Sequence, residues 1–312
     1  MNTTHRPYSE AGGDFGRLAH FFLDDAANIR GRSTWCLGRI VDWKWAVYVD
    51  KQQTPFFTDD NAHLWFDGFG NLAGFVVSES GDAEFAILTQ AGYRFLFEEM
   101  VCWALDTWAD RGPGFAIEIT EEQAVEAAIL ERHGFVRAAT FWTRRFDLTR
   151  PLVPPPPLEP GFRLVDMAAH PDYRGQRLLR YNAFHQGAEY TPEELPHALM
   201  LDEVARRNPI YHAPTDICVM APDGRLVAGC EALIDARNLE ADIERVCTHS
   251  DFRQRGFARA AIVECLYRLK AMGIHSAYIM GYSEAALALY GSLGAVDEQE
   301  AYTYEYKADD NS

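Results

Sequence analysis

The chain has 312 residues, enough for one large domain or two of ordinary size, and 48% of them are apolar, so it is globular and not disordered. Its 29 basic side chains stand against 46 acidic ones, a net charge of −17, which disfavours nucleic acid or an anionic membrane as main partner. The same balance is compatible with a cationic substrate or with solubility alone.

The start, "MNTTHRPYSEAGGDF", lacks a basic segment followed by an apolar one, and no apolar run nears the ~20 residues that span a bilayer. Six scattered cysteines form no CxxC pair. That pattern reads as a reduced, cytoplasmic protein without structural zinc. The histidines form no HExxH and the aspartates no cluster, so no metal is expected.

In chain order, Ala62–Gly70 and Asn71–Ser80 read as a hairpin, and Ala83–Thr89 as a further strand. A helix follows with Leu96, Met100, Trp103 and Ala104 on one face, ending near Gly112. Then come the strand "FAIEIT", the helix "EEQAVEAAILERHG" and the strand "FWTRRFDL". "PLVPPPPLEP", Pro151–Pro160, cannot continue a helix or donate to a sheet and reads as a semi-rigid spacer.

The second half repeats the first. "GRLVAGCEALI" and "ADIERVCTH" read as strands, and a helix follows with Ala258, Ile262, Cys265, Leu266 and Leu269 at helical spacing and Gly273 at its C-cap. The strand "SAYIM", the helix "SEAALALYGSLG" and the strand "AYTYEYK" complete it. Gly134 matches Gly294 and Thr143 matches Thr303, each 160 residues apart. An internal duplication of a β-rich α+β unit is expected, with domains at 1–150 and 161–312 joined by the spacer 151–160.

The segment "VCTHSDFRQRGFARAAI" carries the chemistry. A helix opening near Gly256 leaves its first N–H groups without intrahelical partners, and with the helix dipole these favour an anion. Gly256 and the small Ala258 let a phosphate approach the main chain; Arg253, Arg255 and Arg259 can add charge-assisted hydrogen bonds. The alternative is a solvated basic loop. Neither GxxxxGK[ST] nor GxGxxG is present, so Walker-type and dinucleotide-binding folds are unsupported.

This segment resembles the acetyl-CoA-binding motif of the GCN5-related N-acetyltransferases, the GNAT superfamily, whose Gln/Arg-x-x-Gly-x-Gly/Ala pattern falls here on Arg253, Gly256 and Ala258. Ser250 stands where a proline is common, and "GYSEAALALYGSLGA" resembles the family's downstream helix. The resemblance covers Gly161 to about Lys307 well, and Pro7–Arg150 weakly as a second copy. It implies two tandem α+β domains, each a mixed, mostly antiparallel, splayed sheet flanked by helices.

The resemblance further implies that the loop Arg253, Gln254, Arg255, Gly256, Phe257, Ala258 and Arg259 holds the acetyl-CoA pyrophosphate through its backbone. It also implies that Val246, Cys247 and Thr248 pair with the pantetheine arm, and that "SAYIM" splays away to open the cleft. Ser283 stands where the family often has Asn; it reads equally as an ordinary N-cap.

Acetyl transfer needs a neutral amine, a stabilised oxyanion and a proton for the leaving thiolate. Tyr290 matches the family tyrosine and is the candidate acid, against a plain packed tyrosine. Two residues before Val246 on the same strand, Glu244 is expected to share its face. It either takes the amine proton or binds a cationic substrate, with Glu231 a weaker substitute. Cys247 reads as a packed thiol, and His249 as a solvated loop histidine.

"HPDYRGQRLLR" looks like a second phosphate lead-in, but Arg177 fills the glycine position, so it reads as the opening helix of the domain. In the first copy "QAGYRFLFEE" lacks the arginine–glycine pattern, and Leu130 stands where the second has Tyr290. That copy is expected to bind no cofactor and to support the active one or shape its acceptor groove.

The expected function is an acyltransferase moving acetyl from acetyl-CoA to an amine of a small molecule or peptide by direct transfer in the C-terminal domain. A non-catalytic acyl-CoA-binding sensor or scaffold is the alternative. The acceptor, the acyl length and the oligomeric state are left open.

Overall fold

A computed structural model describes residues 2–47 and 59–307. The chain forms two compact units, Met1–Trp142 with Gln299–Ser312, and Thr143–Glu298.

In the first unit, β1 (Thr4–Pro7) precedes helices α1 (Asp14–Asp24), α2 (Ala26–Arg32) and α3 (Leu37–Asp42). Strands β2 (Ala62–Phe66), β3 (Leu72–Val77) and β4 (Glu84–Thr89) follow, then α4 (Phe97–Trp108), β5 (Ala116–Thr120), α5 (Ala124–Arg132) and β6 (Phe135–Asp147). Strands β1 to β4 pair antiparallel in sequence order, and β4 runs parallel to β5. Trp65, Phe85, Phe97, Met100, Trp108 and Phe135 anchor the core where α4 lies on the sheet.

The rest of the chain repeats that order with β7 (Arg163–Asp166), α6 (Tyr173–Phe184), α7 (Leu195–Ala205), β8 (Ile217–Met220), β9 (Leu226–Asp235), β10 (Glu240–Thr248), α8 (Phe257–Ala271), β11 (Ser276–Gly281), α9 (Glu284–Gly291) and β12 (Asp297–Tyr306). Strands β7 to β10 are antiparallel neighbours, and β10 pairs parallel with β11. Helix α8 buries Phe257, Ala261, Ile262, Cys265, Leu266 and Leu269 against the sheet, each contributing roughly 1.5–3 kcal/mol where the side chain is large.

The duplication is visible element by element: α4 and α8, β5 and β11, and α5 and α9 each start 160 residues apart. Gly134 and Gly294 both end their helices in the left-handed region, at φ 85° and 82°. Each copy is a mixed, mostly antiparallel sheet flanked by helices.

The units do not divide at the prolines. Strand β12 pairs antiparallel with β5, Ala301 opposite Thr120 through Glu305 opposite Ala116, so the chain's last strand completes the first unit. Thr143–Asp147 of β6 belong to the second unit, where Phe146 and Leu148 enter the core. Nor is 151–160 a free spacer. Leu152, Val153 and Leu158 pack on the core of the second unit, because apolar residues interrupt the prolines.

Candidate functional site

Strands β10 and β11 are hydrogen-bonded neighbours only from Glu240–Ser276 to Asp242–Tyr278. Beyond that point β10 runs on to Thr248 and β11 to Gly281, so the two diverge and leave a wedge in the sheet. This is the splay expected of "SAYIM". Val246, Cys247 and Thr248 lie on the diverging stretch of β10, which pairs with β9 on its other side.

The loop after β10 leads into α8. Gln254 and Gly256 both have left-handed backbones, at φ 61° and 79°. Gly256 is the N-cap of α8, and no side chain caps the first turn. A Cβ on Gly256 would meet nothing within 4 Å, so the space above the turn is open. Arg253 to Gly256 are exposed and Ala258 and Arg259 partly so, whereas Phe257 is buried. The first turn of α8 is thus uncapped by a side chain and open at Gly256, which suits an anion such as a pyrophosphate.

The arginine side chains of this loop have other partners. Arg253 Nη2 donates to the Ala183 carbonyl at the end of α6 (3.0 Å), and Arg259 Nη1 to Ser292 Oγ and O (2.6 and 3.1 Å). Arg255 forms a two-point ion pair with Glu159, its Nε 2.8 Å from Oε1, and its guanidinium lies 4.9–5.2 Å from the rings of Phe162, Phe252 and Phe257. The guanidinium of Arg255 therefore braces the loop, and the backbone faces the opening.

Tyr290 on α9 is 6% exposed. Its ring lies on Gly281 of β11, where a Cβ would come within 3.2 Å of it. Burial, reinforced by the Glu244 charge, pushes the phenol above its ordinary range. Among the described residues its hydroxyl has no hydrogen-bond partner. Ser283 caps α9 by accepting from the Ala286 amide at 3.2 Å, which accounts for it without a ligand.

Glu244 and Val246 do not share a face. The β9–β10 register shifts between Glu244, opposite Glu231, and Cys247, opposite Gly229, and Arg245 has a left-handed backbone at φ 51°. This is a β-bulge, which inserts a residue and reverses the alternation. Glu244 therefore lies on the Glu231 side, while Val246 packs on the core with Ile243. Sequence reasoning assumed an unbroken strand. Its one warning was the adjacent polar pair Glu244–Arg245, where strict alternation after Ala241 and Ile243 would place an apolar side chain at Arg245.

Glu231 is not available as a base. It is buried between Arg180 Nη2, 2.7 Å from Oε2, and Arg245 Nη1 on Oε1. Arg180 also lies 3.6 Å from Asp216 Oδ1, which accepts from Gln176 (2.6 Å), while Asp216 Oδ2 accepts from Tyr211 (2.9 Å). Of these partners the sequence placed only Gln176 and Arg180, as members of the opening helix, which α6 is. Cys247 is buried and its thiol is pushed up to about 12 by burial, so it is no thiolate at neutral pH. His249 is partly buried and caps a short turn, its Nδ1 accepting from the Asp251 amide.

The first unit keeps the wedge but not the loop. Strands β4 and β5 pair only at Glu84–Ala116 and Phe85–Ile117. A 3-10 turn, Ala91–Leu96, follows β4, and Arg94 is tied to Glu126 by two bonds of 2.8 Å. Leu130 is fully buried in the core. No group of three or more His, Cys, Asp or Glu fit to hold a metal ion occurs among the described residues. No helix among them is long and apolar enough to cross a membrane.

Residues 183–295 match the model of the acetyltransferase (GNAT) family. Across 99% of this chain and 100% of the other, the fold is similar to a tandem GNAT protein from the clavulanic acid biosynthesis pathway, at 14% identity and TM-score 0.63. A GCN5-related N-acetyltransferase from Sphaerobacter thermophilus aligns over 98% of this chain and 96% of its own, at 15% identity and TM-score 0.60. An acetyltransferase of the GNAT family from Colwellia psychrerythraea aligns over 98% and 100%, at 12% identity and TM-score 0.58. No curated protein sequence matches the chain.

Proposed function

We propose that the second unit transfers acetyl from acetyl-CoA directly to an amine, a reading supported by the match of residues 183–295 to the GNAT family model and by the likeness of the fold to a tandem GNAT protein. The observation that carries this reading is the first turn of α8, which has no side-chain cap and is open at Gly256, together with the divergence of β10 from β11, on whose Gly281 the Tyr290 ring lies. The backbone from Arg255 to Arg259 holds the donor's pyrophosphate, and the free edge of Val246–Thr248 receives its pantetheine arm. Bound there, acetyl-CoA supplies an activated acyl group.

The chain's own residues then manage protons. A C–N bond forms as the C–S bond breaks, so one proton must leave the amine and one must reach the thiolate sulfur. Tyr290 gives the second, since burial keeps it protonated at neutral pH. Glu244, on the strand edge and close enough to bias Tyr290, receives the first directly or through water. The raised Cys247 thiol argues against an acyl-cysteine route. The acceptor class that suits an acidic chain is a cationic amine, whether a small molecule or a peptide.

Isothermal calorimetry with acetyl-CoA, followed by free-thiol release across a panel of amines, tests the reading. Binding with amine-dependent release supports it. Binding without release from any amine would make the protein an acyl-CoA sensor, and no heat with any CoA thioester would remove the proposal.

A further inference from the structure

The β10 bulge sits at a non-glycine residue, Arg245 at φ 51°, a conformation that is strained for an L-residue and needs an external hold. Ion pairs from neighbouring elements supply that hold. Three elements meet at one buried carboxylate: Arg180 from α6 and Arg245 from β10 both grip Glu231 of β9. Arg180 is itself fixed by Asp216, which Gln176 and Tyr211 orient. Glu231 lies directly opposite Glu244, where two carboxylates would repel if the arginines did not separate them.

We propose that Glu231 is a positioning residue, the centre of an Arg180–Glu231–Arg245 clamp that holds the bulge and thereby fixes which way Glu244 and Val246 face in the wedge. The proposal rests on the acetyl-transfer reading for its catalytic consequence, although the clamp itself is a matter of strand register. Without the bulge, β10 would continue the regular pairing of Glu244 with Glu231, and every residue beyond it would change face. Glu244 and Val246 would then share one face, and their present placement on opposite faces of β10 would be lost.

Two substitutions at one position separate bulge from charge. Arg245→Ala removes the ion pair and keeps the backbone penalty, whereas Arg245→Gly removes the ion pair and adopts the left-handed conformation freely. Arg245→Ala and Glu231→Gln should each lower kcat for thiol release by about 10-fold to 100-fold, the scale of a misplaced catalytic group. Arg245→Gly should recover most of the loss. If Arg245→Gly is as slow as Arg245→Ala, the guanidinium acts in its own right and the bulge-holding role is overturned.

Amide hydrogen exchange needs no turnover and decides the clamp independently. Exchange at Arg245–Cys247 should quicken in Glu231→Gln and in Arg245→Ala but stay slow in Arg245→Gly, with β8 and α8 unaffected. Unchanged exchange in the first two overturns the clamp. A wild-type protein that releases no thiol while showing this exchange pattern would sink the transferase reading and leave the clamp standing.

Discussion

Tyr290 owes its candidacy to its surroundings. The ring packs against Gly281, burial raises the phenol's pKa, and the nearby Glu244 charge adds to the rise. A group raised in this way stays protonated through the neutral range and past the ordinary tyrosine value of ~10, so it imposes no loss of activity below that pH. Tyr290→Phe should lower kcat for thiol release by roughly 100-fold or more, the usual worth of a positioned acid, without weakening acetyl-CoA binding. A variant with full turnover would return Tyr290 to a packing role. In the first unit His63 makes a different residue-scale point. It is buried among Trp65, Trp103 and His5, and burial, with the His5 and Arg6 charges, lowers its pKa from 6.5 to about 4. An unfolded histidine takes up its proton near 6.5, whereas folded His63 resists until about 4. Between those values the unfolded chain binds more protons, so stability falls as pH drops through that window. Urea midpoints at pH 7 and pH 5 should show the fall, and His63→Gln should flatten it.

At the scale of elements, the turn into α8 was legible and its wiring was not. Arg253, Gly256 and Ala258 announce a helix start with room for an anion, and the uncapped first turn and open space agree. That Arg255 pairs with Glu159, 96 positions earlier, has no local trace. Gly256→Ala isolates the backbone: no atom lies within 4 Å of the added methyl, so the only penalty is the left-handed φ of 79°. Stability should fall by about 1 kcal/mol. Acetyl-CoA affinity should fall at least about tenfold, equivalent to ~1.4 kcal/mol, as the turn relaxes. Calorimetry and thermal melting read both. An affinity unchanged by this variant would mean that the loop's backbone does not hold the donor. Strand β10 shows the converse limit: a period-two reading assigned Glu244 to the wrong face because a single inserted residue at Arg245 is a matter of pairing, not of composition.

For the whole molecule the consequence lies in which residues each unit needs. The first unit includes Gln299–Tyr306 of β12, and the second includes Thr143–Leu148 from before the prolines. A fragment ending at residue 160 would leave the β5 edge that pairs with β12 open, and open edges aggregate. Expressed alone, residues 1–160 should be insoluble or lack a cooperative melting transition; expressed together with 161–312 they should recover both. A soluble, cooperatively melting 1–160 would show that β12 is dispensable to the first unit.

The duplicated order of strands and helices, the wedge-forming strand, the glycine that opens α8 and the contrast between Tyr290 and Leu130 were all present in the amino-acid order. Each depends on local periodicity or on a single backbone requirement, and such requirements are written within a few residues. The exchange of β12 into the first unit, the bulge at Arg245 and the burial of Glu231 between two arginines were decided only when distant segments met. Strand partners and ion pairs are chosen by what lies across the fold, and neighbours along the chain hold no record of that choice.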